Sequence, residues 1–358
     1  MTRTTDALHQ LGQSLWLDNI TRDLLDSGTL RRYIDELSVT GLTSNPSIFD
    51  KAIRNASYDQ AITTKVKEGK GGEDLFYELA IEDLRRAADL FRPVHDRTNG
   101  VDGWVSLEVT PTLAYDTEAT LAATKKLHAQ ADRPNLFIKI PGTREGRPAI
   151  EEAIFAGVPV NVTLLFSRED YLGAAEAYLR GIERRLEAGL NPRVESVASL
   201  FISRWDVAAQ EKLPEELHNR LGIAVAQQAY RAYRDLLDSD RWHRLANWGA
   251  MPQRILWAST GTKDPAASDF LYVAAMASPH TVNTIPEKTL LAFAEHGVLN
   301  GIVSAGGGDA DEVIFRIERS GVDVEALGRQ LQKDGAAAFV KSWQDMMGVL
   351  ETKIKAGK

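Results

Sequence analysis

The segment Asn135-Leu136-Phe137-Ile138-Lys139-Ile140-Pro141 places a lysine inside a run that otherwise reads as a strand buried on both faces. Burial disfavours an ammonium ion, so a lysine held there is pushed towards its neutral amine, a nucleophile for carbonyl carbon. The plainer reading is a structural lysine paired with a carboxylate, because interior lysines are rare unless paired. Other strand-like runs break the apolar rule too. Leu15-Trp16-Leu17-Asp18 ends on a carboxylate, Trp104-Val105-Ser106-Leu107-Glu108-Val109 carries Glu108, and Val160-Asn161-Val162-Thr163-Leu164 puts Asn161 and Thr163 two apart, hence on one face. Singly, Asp18 could cap the next helix and Thr163 could reflect ordinary β-propensity. With Lys139, Glu108 and Asn161 beside them, all the plain readings must hold at once.

These residues need strands to hold them. Short apolar or β-branched runs recur at 15–18, 38–43, 104–109, 136–140, 158–166, 196–202, 254–259 and 281–285, with segments of three- and four-residue apolar spacing between most of them. The clearest helix follows the fifth run: Ser167 as N-cap, Asp170 three residues on, an amphipathic face of Leu172, Ala175, Leu179, Ile182 and Leu186, and Gly189 as the residue after the end. Residues 148–155 read as another helix, ended by Gly157, which completes a βαβ unit. No Gly-x-Gly-x-x-Gly joins a strand to its helix, and eight such units suit a closed (β/α)8 barrel better than a doubly wound sheet. In a barrel, polar groups near the strand ends that feed into helices converge on the C-terminal mouth, where barrel enzymes carry their active sites. Longer helical stretches at 51–90, 214–248 and 322–355 predict extra helices, the last as a C-terminal extension of one domain spanning 1–358. Lys70-Gly71-Gly72 and Gly306-Gly307-Gly308 read as loops.

Composition narrows the chemistry. The 358-residue chain has 42 Lys plus Arg against 50 Asp plus Glu, a formal charge of −8, which argues against nucleic-acid or acidic-membrane partners. An anionic substrate then needs a locally basic pocket. With no cysteine, disulfides, thiolate zinc sites and a cysteine nucleophile are excluded. No apolar leader core occurs in residues 1–14, and no run approaches the roughly 18 apolar residues of a membrane span, so the expectation is an untargeted cytoplasmic protein. The seven histidines form no His-x-His or His-Glu-x-x-His pattern, so no metal site is expected, and His280 reads as a structural residue of intermediate burial. The aromatic cluster from Trp242 to Trp248 reads as packing rather than base stacking. Residues 339–355 look amphipathic, either as a cover over the barrel mouth or as a homo-oligomer contact.

Three segments, Gly41-Leu42-Thr43-Ser44-Asn45-Pro46-Ser47, Phe137-Ile138-Lys139-Ile140-Pro141 and Val160-Asn161-Val162-Thr163-Leu164-Leu165-Phe166, closely resemble those of transaldolases in content, order and spacing. The resemblance runs from about residue 15 to at least residue 286. It implies an eight-stranded barrel with a Schiff-base lysine on the fourth strand, where the count of runs also puts Lys139. It further implies that Asp18 handles the sugar hydroxyl proton during carbon–carbon cleavage, that Glu108 is the general acid/base, and that Thr163 positions a catalytic water. Asn45 and Asn161 resemble the asparagines that hold substrate and intermediate, and Ser199 with Arg204 resembles the family's serine and phosphate-binding arginine five residues on. Asp206 is a candidate ion-pair partner for Arg204. Many family members follow with Ala-Ser-x-Arg, whereas this chain reads Ala258-Ser259-Thr260-Gly261-Thr262-Lys263, which leaves Ser259 and Lys263 as the substitutes at the phosphate.

The implied reaction moves a dihydroxyacetone unit from sedoheptulose 7-phosphate to glyceraldehyde 3-phosphate, giving erythrose 4-phosphate and fructose 6-phosphate, with no cofactor. Three alternatives stay open: a fructose 6-phosphate aldolase-like lysine aldolase, a barrel whose lysine binds pyridoxal phosphate, and a non-catalytic barrel that binds sugar phosphates.

Overall fold

The computed structural model describes residues 3–356. Eight parallel strands close into a barrel in chain order: β1 Gln13–Asp18, β2 Val39–Thr43, β3 Trp104–Glu108, β4 Leu136–Pro141, β5 Val160–Leu165, β6 Ser196–Phe201, β7 Arg254–Ala258 and β8 Thr281–Ile285. The closing pair is β8 with β1, which leaves no sheet edge and excludes a doubly wound sheet. Strands wrapped by helices outside and by one another's side chains inside have two buried faces, which is why their runs read as almost continuously apolar.

The helix after β5, Arg168–Glu187, starts as its sequence dictates: Ser167 Oγ accepts from the Asp170 amide at 3.0 Å while Asp170 Oδ2 accepts from the Ser167 amide at 3.2 Å. Gly189, at φ +67°, follows its end. Its buried stripe is centred on Tyr171, Ala174, Tyr178 and Ile182. Leu172, expected on that stripe, sits one residue further round the helix and is 40 % exposed. The stretch 51–90 divides into Asp59–Lys67 and Gly72–Arg97, with the break at residues 68–71, after an earlier helix, Pro46–Ile53. Two further expectations need correcting. Trp242 is buried but Trp248 is 73 % exposed, so only the first indole packs. The His280 side chain is exposed, and its structural part is played by the backbone: its amide donates to the Gly12 carbonyl at 2.9 Å, and its carbonyl accepts from Tyr233 Oη at 2.8 Å.

Inside the barrel the side chains change character from base to mouth. At the base, Asp102 accepts from Ser14 Oγ at 2.6 Å and Trp16 Nε1 at 3.0 Å, with the Arg254 guanidinium 3.5 Å away. Above it Trp16, Trp104, Phe137, Val197, Leu256 and Val282 fill the lumen. Gly41 makes that packing possible, because a Cβ there would lie 2.7 Å from Trp16 Nε1 and from the Trp104 carbonyl. Near the mouth polar side chains take over again. There the final helix, Val324–Ala356, crosses the barrel: Phe339 packs on Phe201, and Trp343 packs edge-on against Phe76. Of the two readings for this segment, the cover over the mouth is the one the intrachain contacts realise.

Candidate active site

Parallel pairing sets Glu108, Lys139 and Asn161 abreast on β3, β4 and β5, and sets Asp18 beside Thr43 on β1 and β2. Lys139 Nζ lies 3.3 Å from Glu108 Oε2 and donates to the Ser44 carbonyl at 3.2 Å, with both ionisable side chains 5 % exposed. The Lys139–Glu108 contact has the distance of an ion pair but not hydrogen-bond alignment, and neither carboxylate oxygen has another partner. Burial pushes the Glu108 carboxyl up to about 7; the Lys139 charge opposes this and Asp18 adds to it. An acid tuned to neutrality beside a buried amine can give or take a proton at physiological pH.

Such a pair does not stabilise the fold. Because its folded value is raised above the ordinary carboxyl value of 4.5, Glu108 holds more protons in the folded chain, and stability falls as pH rises through the window from about 4.5 to about 7. Replacing both partners with methionine is therefore expected to stabilise the protein by about 1–4 kcal/mol at pH 8. The gain should shrink towards pH 5, as compared by urea denaturation at both values. A double variant less stable than the parent at pH 8 would mean the pair is structural.

The other predicted residues fall into two groups. Asn161 is buried and clamped: its Nδ2 donates to Ser106 Oγ at 3.1 Å and its Oδ1 accepts from Ser199 Oγ at 2.7 Å. Ser199 thus acts first on Asn161. Thr163 is buried with a hydroxyl that has no partner. Asp18 accepts from Thr43 Oγ1 at 2.8 Å; that uses the only Thr43 hydroxyl proton, so in the 2.6 Å contact behind it Thr284 donates to Thr43. Burial raises the Asp18 carboxyl, against the Lys139 charge, the Thr43 bond and the Lys263 and Lys51 charges.

Asn45 is partly committed to structure, since its Oδ1 caps the helix Pro46–Ile53 by accepting from the Ile48 amide at 3.0 Å. Its Nδ2 is free of intrachain bonds among the described residues and can donate to a ligand.

Arg204 is half-buried, 5.3 Å from the Phe201 ring centre and 6.0 Å from that of Phe339, and burial lowers its pKa. It has no carboxylate partner among the described residues. The proposed pairing with Asp206 does not occur: Asp206 is buried and accepts from Tyr272 Oη at 2.8 Å and from the Leu221 amide at 2.9 Å, where it caps the helix Leu221–Leu237. That leaves Arg204 available to an anion. Ser259 Oγ meets Ser203 Oγ at 2.9 Å, whereas Lys263 is exposed and lies within electrostatic reach of Asp18.

Several contributors were not singled out in the sequence. Ser106 and Thr43 share the alternation of Glu108 and of Gly41, a signal present but unused. Gln332 had none. Its Nε2 donates to the Leu164 carbonyl at 2.9 Å, and Leu164, next to Thr163, sits at φ +59° in a bulge of β5. Gln332→Ala is expected to lower kcat about fivefold to tenfold with little change in KM, because one bond of about 1 kcal/mol holds the backbone that aims Thr163. An unchanged kcat would remove Gln332 from the site.

An amine, two carboxylates of raised pKa and an unpartnered hydroxyl at the C-terminal mouth of a barrel suit imine chemistry on a carbonyl. Residues 15–350 match the family model described as transaldolase/fructose-6-phosphate aldolase. The chain belongs to that family. The transaldolase of Saccharopolyspora erythraea is 42% identical, with 99% of this chain and 98% of that protein covered. Proteins named transaldolase 2 are 42% identical in Streptomyces coelicolor, covering 98% of each chain, and 39% identical in a Nostoc species, covering 97% of each. Among the described residues no helix is long and apolar enough to cross a membrane, and no group of three or more His, Asp or Glu is arranged to hold a metal.

Proposed function

We infer that this protein is a transaldolase, transferring a dihydroxyacetone unit from sedoheptulose 7-phosphate to glyceraldehyde 3-phosphate through an imine on Lys139. The observation that carries the reading is the buried Lys139–Glu108 contact of 3.3 Å, with Asp18, Asn161 and Thr163 around the same mouth. The Lys139 amine attacks the ketose C2, and Glu108, through a water held by the free Thr163 hydroxyl, protonates the departing hydroxyl as the carbinolamine becomes an iminium. Asp18 then takes the C4 hydroxyl proton. The C3–C4 bond breaks, its electrons pass to the iminium, and an aldose phosphate leaves behind an enamine on Lys139. Addition of the enamine to the acceptor aldehyde and hydrolysis of the new imine complete the turn.

Asn161, fixed at both ends by serines, holds the intermediate, with Asn45 contributing its Nδ2. Arg204 anchors the phosphate, with Ser259 and Lys263 as further donors. Because Arg204 has no carboxylate to leave, Arg204→Gln is expected to raise KM for sugar phosphates about tenfold to a hundredfold, the worth of one or two charge-assisted bonds, with a smaller fall in kcat. An unaltered KM would place the phosphate elsewhere.

The direct test mixes fructose 6-phosphate with erythrose 4-phosphate and measures sedoheptulose 7-phosphate and glyceraldehyde 3-phosphate. Transfer supports the reading; release of free dihydroxyacetone without transfer assigns the chain to the aldolase side of its family. We further propose a cytoplasmic enzyme, acting as one domain without a cofactor.

A further inference from the structure

An apolar cavity lies at the end of the barrel opposite Lys139. Its volume is about 440 Å³ and its walls include Trp104, Phe137, Tyr233, Trp242, Met251 and Arg234. Trp104 and Arg254 open β3 and β7 and His280 precedes β8, so the residues around the cavity mark the N-terminal face, whereas catalysis in this fold belongs to the C-terminal face. The cavity is a cleft partly open to solvent, with the size of small-ligand sites, about 300–1,000 Å³.

The lining specifies the ligand's chemistry. Trp104 and Phe137, stacked at 4.1 Å and 23°, line the cavity from inside the barrel, and Trp242 lines it from the helix Asp240–Asn247. The charges around this apolar surface are paired with one exception. Arg254 lies 3.5 Å from Asp102 and donates to Ser14 Oγ at 2.8 Å, and Glu195 is 3.0 Å from Arg193. Arg234 has no carboxylate within ion-pair distance among the described residues; its polar neighbour is the Tyr230 hydroxyl, with Asp238 further off, and its Nε is buried without an acceptor. An apolar, aromatic-walled cavity with one unpaired guanidinium matches a flat hydrophobic body bearing one anionic group.

We propose that this cavity is a second binding site, separate from the catalytic mouth, for a small planar aromatic anion whose carboxylate or sulfonate pairs with Arg234. The probe is 1-anilinonaphthalene-8-sulfonate, with uncharged N-phenyl-1-naphthylamine as its counterpart, each titrated by fluorescence into the full chain. One saturable site per chain, not displaced by fructose 6-phosphate, is expected for the anion. Arg234→Gln should weaken the sulfonate about tenfold and leave the neutral probe unchanged. Ala246→Trp, which adds an indole at a half-buried position on the wall, should abolish binding of both while the circular dichroism spectrum is kept. Displacement by fructose 6-phosphate, equal loss of both probes in Arg234→Gln, or undiminished binding in a folded Ala246→Trp would overturn the proposal. So would a doubling of mass that excludes the probe, which would assign the cavity to a second copy of the chain.

Discussion

Lys139→Met is expected to lower kcat/KM by about 10⁴-fold or more, because Lys139 is the only buried lysine among the described residues and carries the covalent intermediate. The variant should fold, since methionine nearly matches the lysine stem and the position is 4 % exposed in an otherwise apolar strand. Steady-state kinetics with a thermal melt separates the two effects. A folded variant with more than about a hundredth of parental activity would place the nucleophile elsewhere. Ser44 gives a reason to expect so steep a loss: its carbonyl holds Nζ at 3.2 Å, aiming the amine as well as burying it.

The second large effect concerns pH. Glu108 is raised to about 7, and a kcat/KM profile reports ionisations of the free enzyme. Below that value the carboxyl is protonated and cannot act as a base. Above it a carboxylate is present to do so. The expected profile therefore rises with pH through an inflection near 7 that belongs to Glu108. Glu108→Gln should abolish that inflection and lower kcat by about 10²–10⁴-fold, the usual worth of a positioned acid/base. If the inflection survives in the glutamine variant, another group controls it.

The barrel was legible because its strands are buried twice over. Runs such as Val105 to Val109 and Leu136 to Ile140 carry apolar residues on both faces, so polar intruders stand out against them. That contrast marked Glu108, Lys139, Asn161 and Thr163. Strand ends were less exact, since the fifth strand starts at Val160, after two apolar residues of which only Pro159 bonds to β4, its carbonyl accepting from the Ile138 amide at 3.0 Å. Where the reading failed, the deciding contacts lay far apart in sequence. Asp206 was matched to Arg204 because they are neighbours in the chain, but its bonds go to Leu221 and Tyr272. Gln332 reaches Leu164 across 168 residues, with no local pattern to announce it. Phe339 was visible only as one apolar residue of a helix, and its place 5.9 Å from Lys139 Nζ follows from how that helix crosses the mouth. Leu172 and Trp248 show the limit of periodicity: it finds a helix before it fixes which residue is central to the stripe.

The central claim is a covalent bond between Lys139 and three carbons of a ketose phosphate. It is tested most directly by incubating the protein with fructose 6-phosphate, reducing with borohydride and mapping the peptides by mass. The account predicts one adduct of a reduced dihydroxyacetone unit on the peptide containing Lys139, absent from Lys139→Met. An adduct on a different lysine, or none in protein that turns over the sugar, would contradict it.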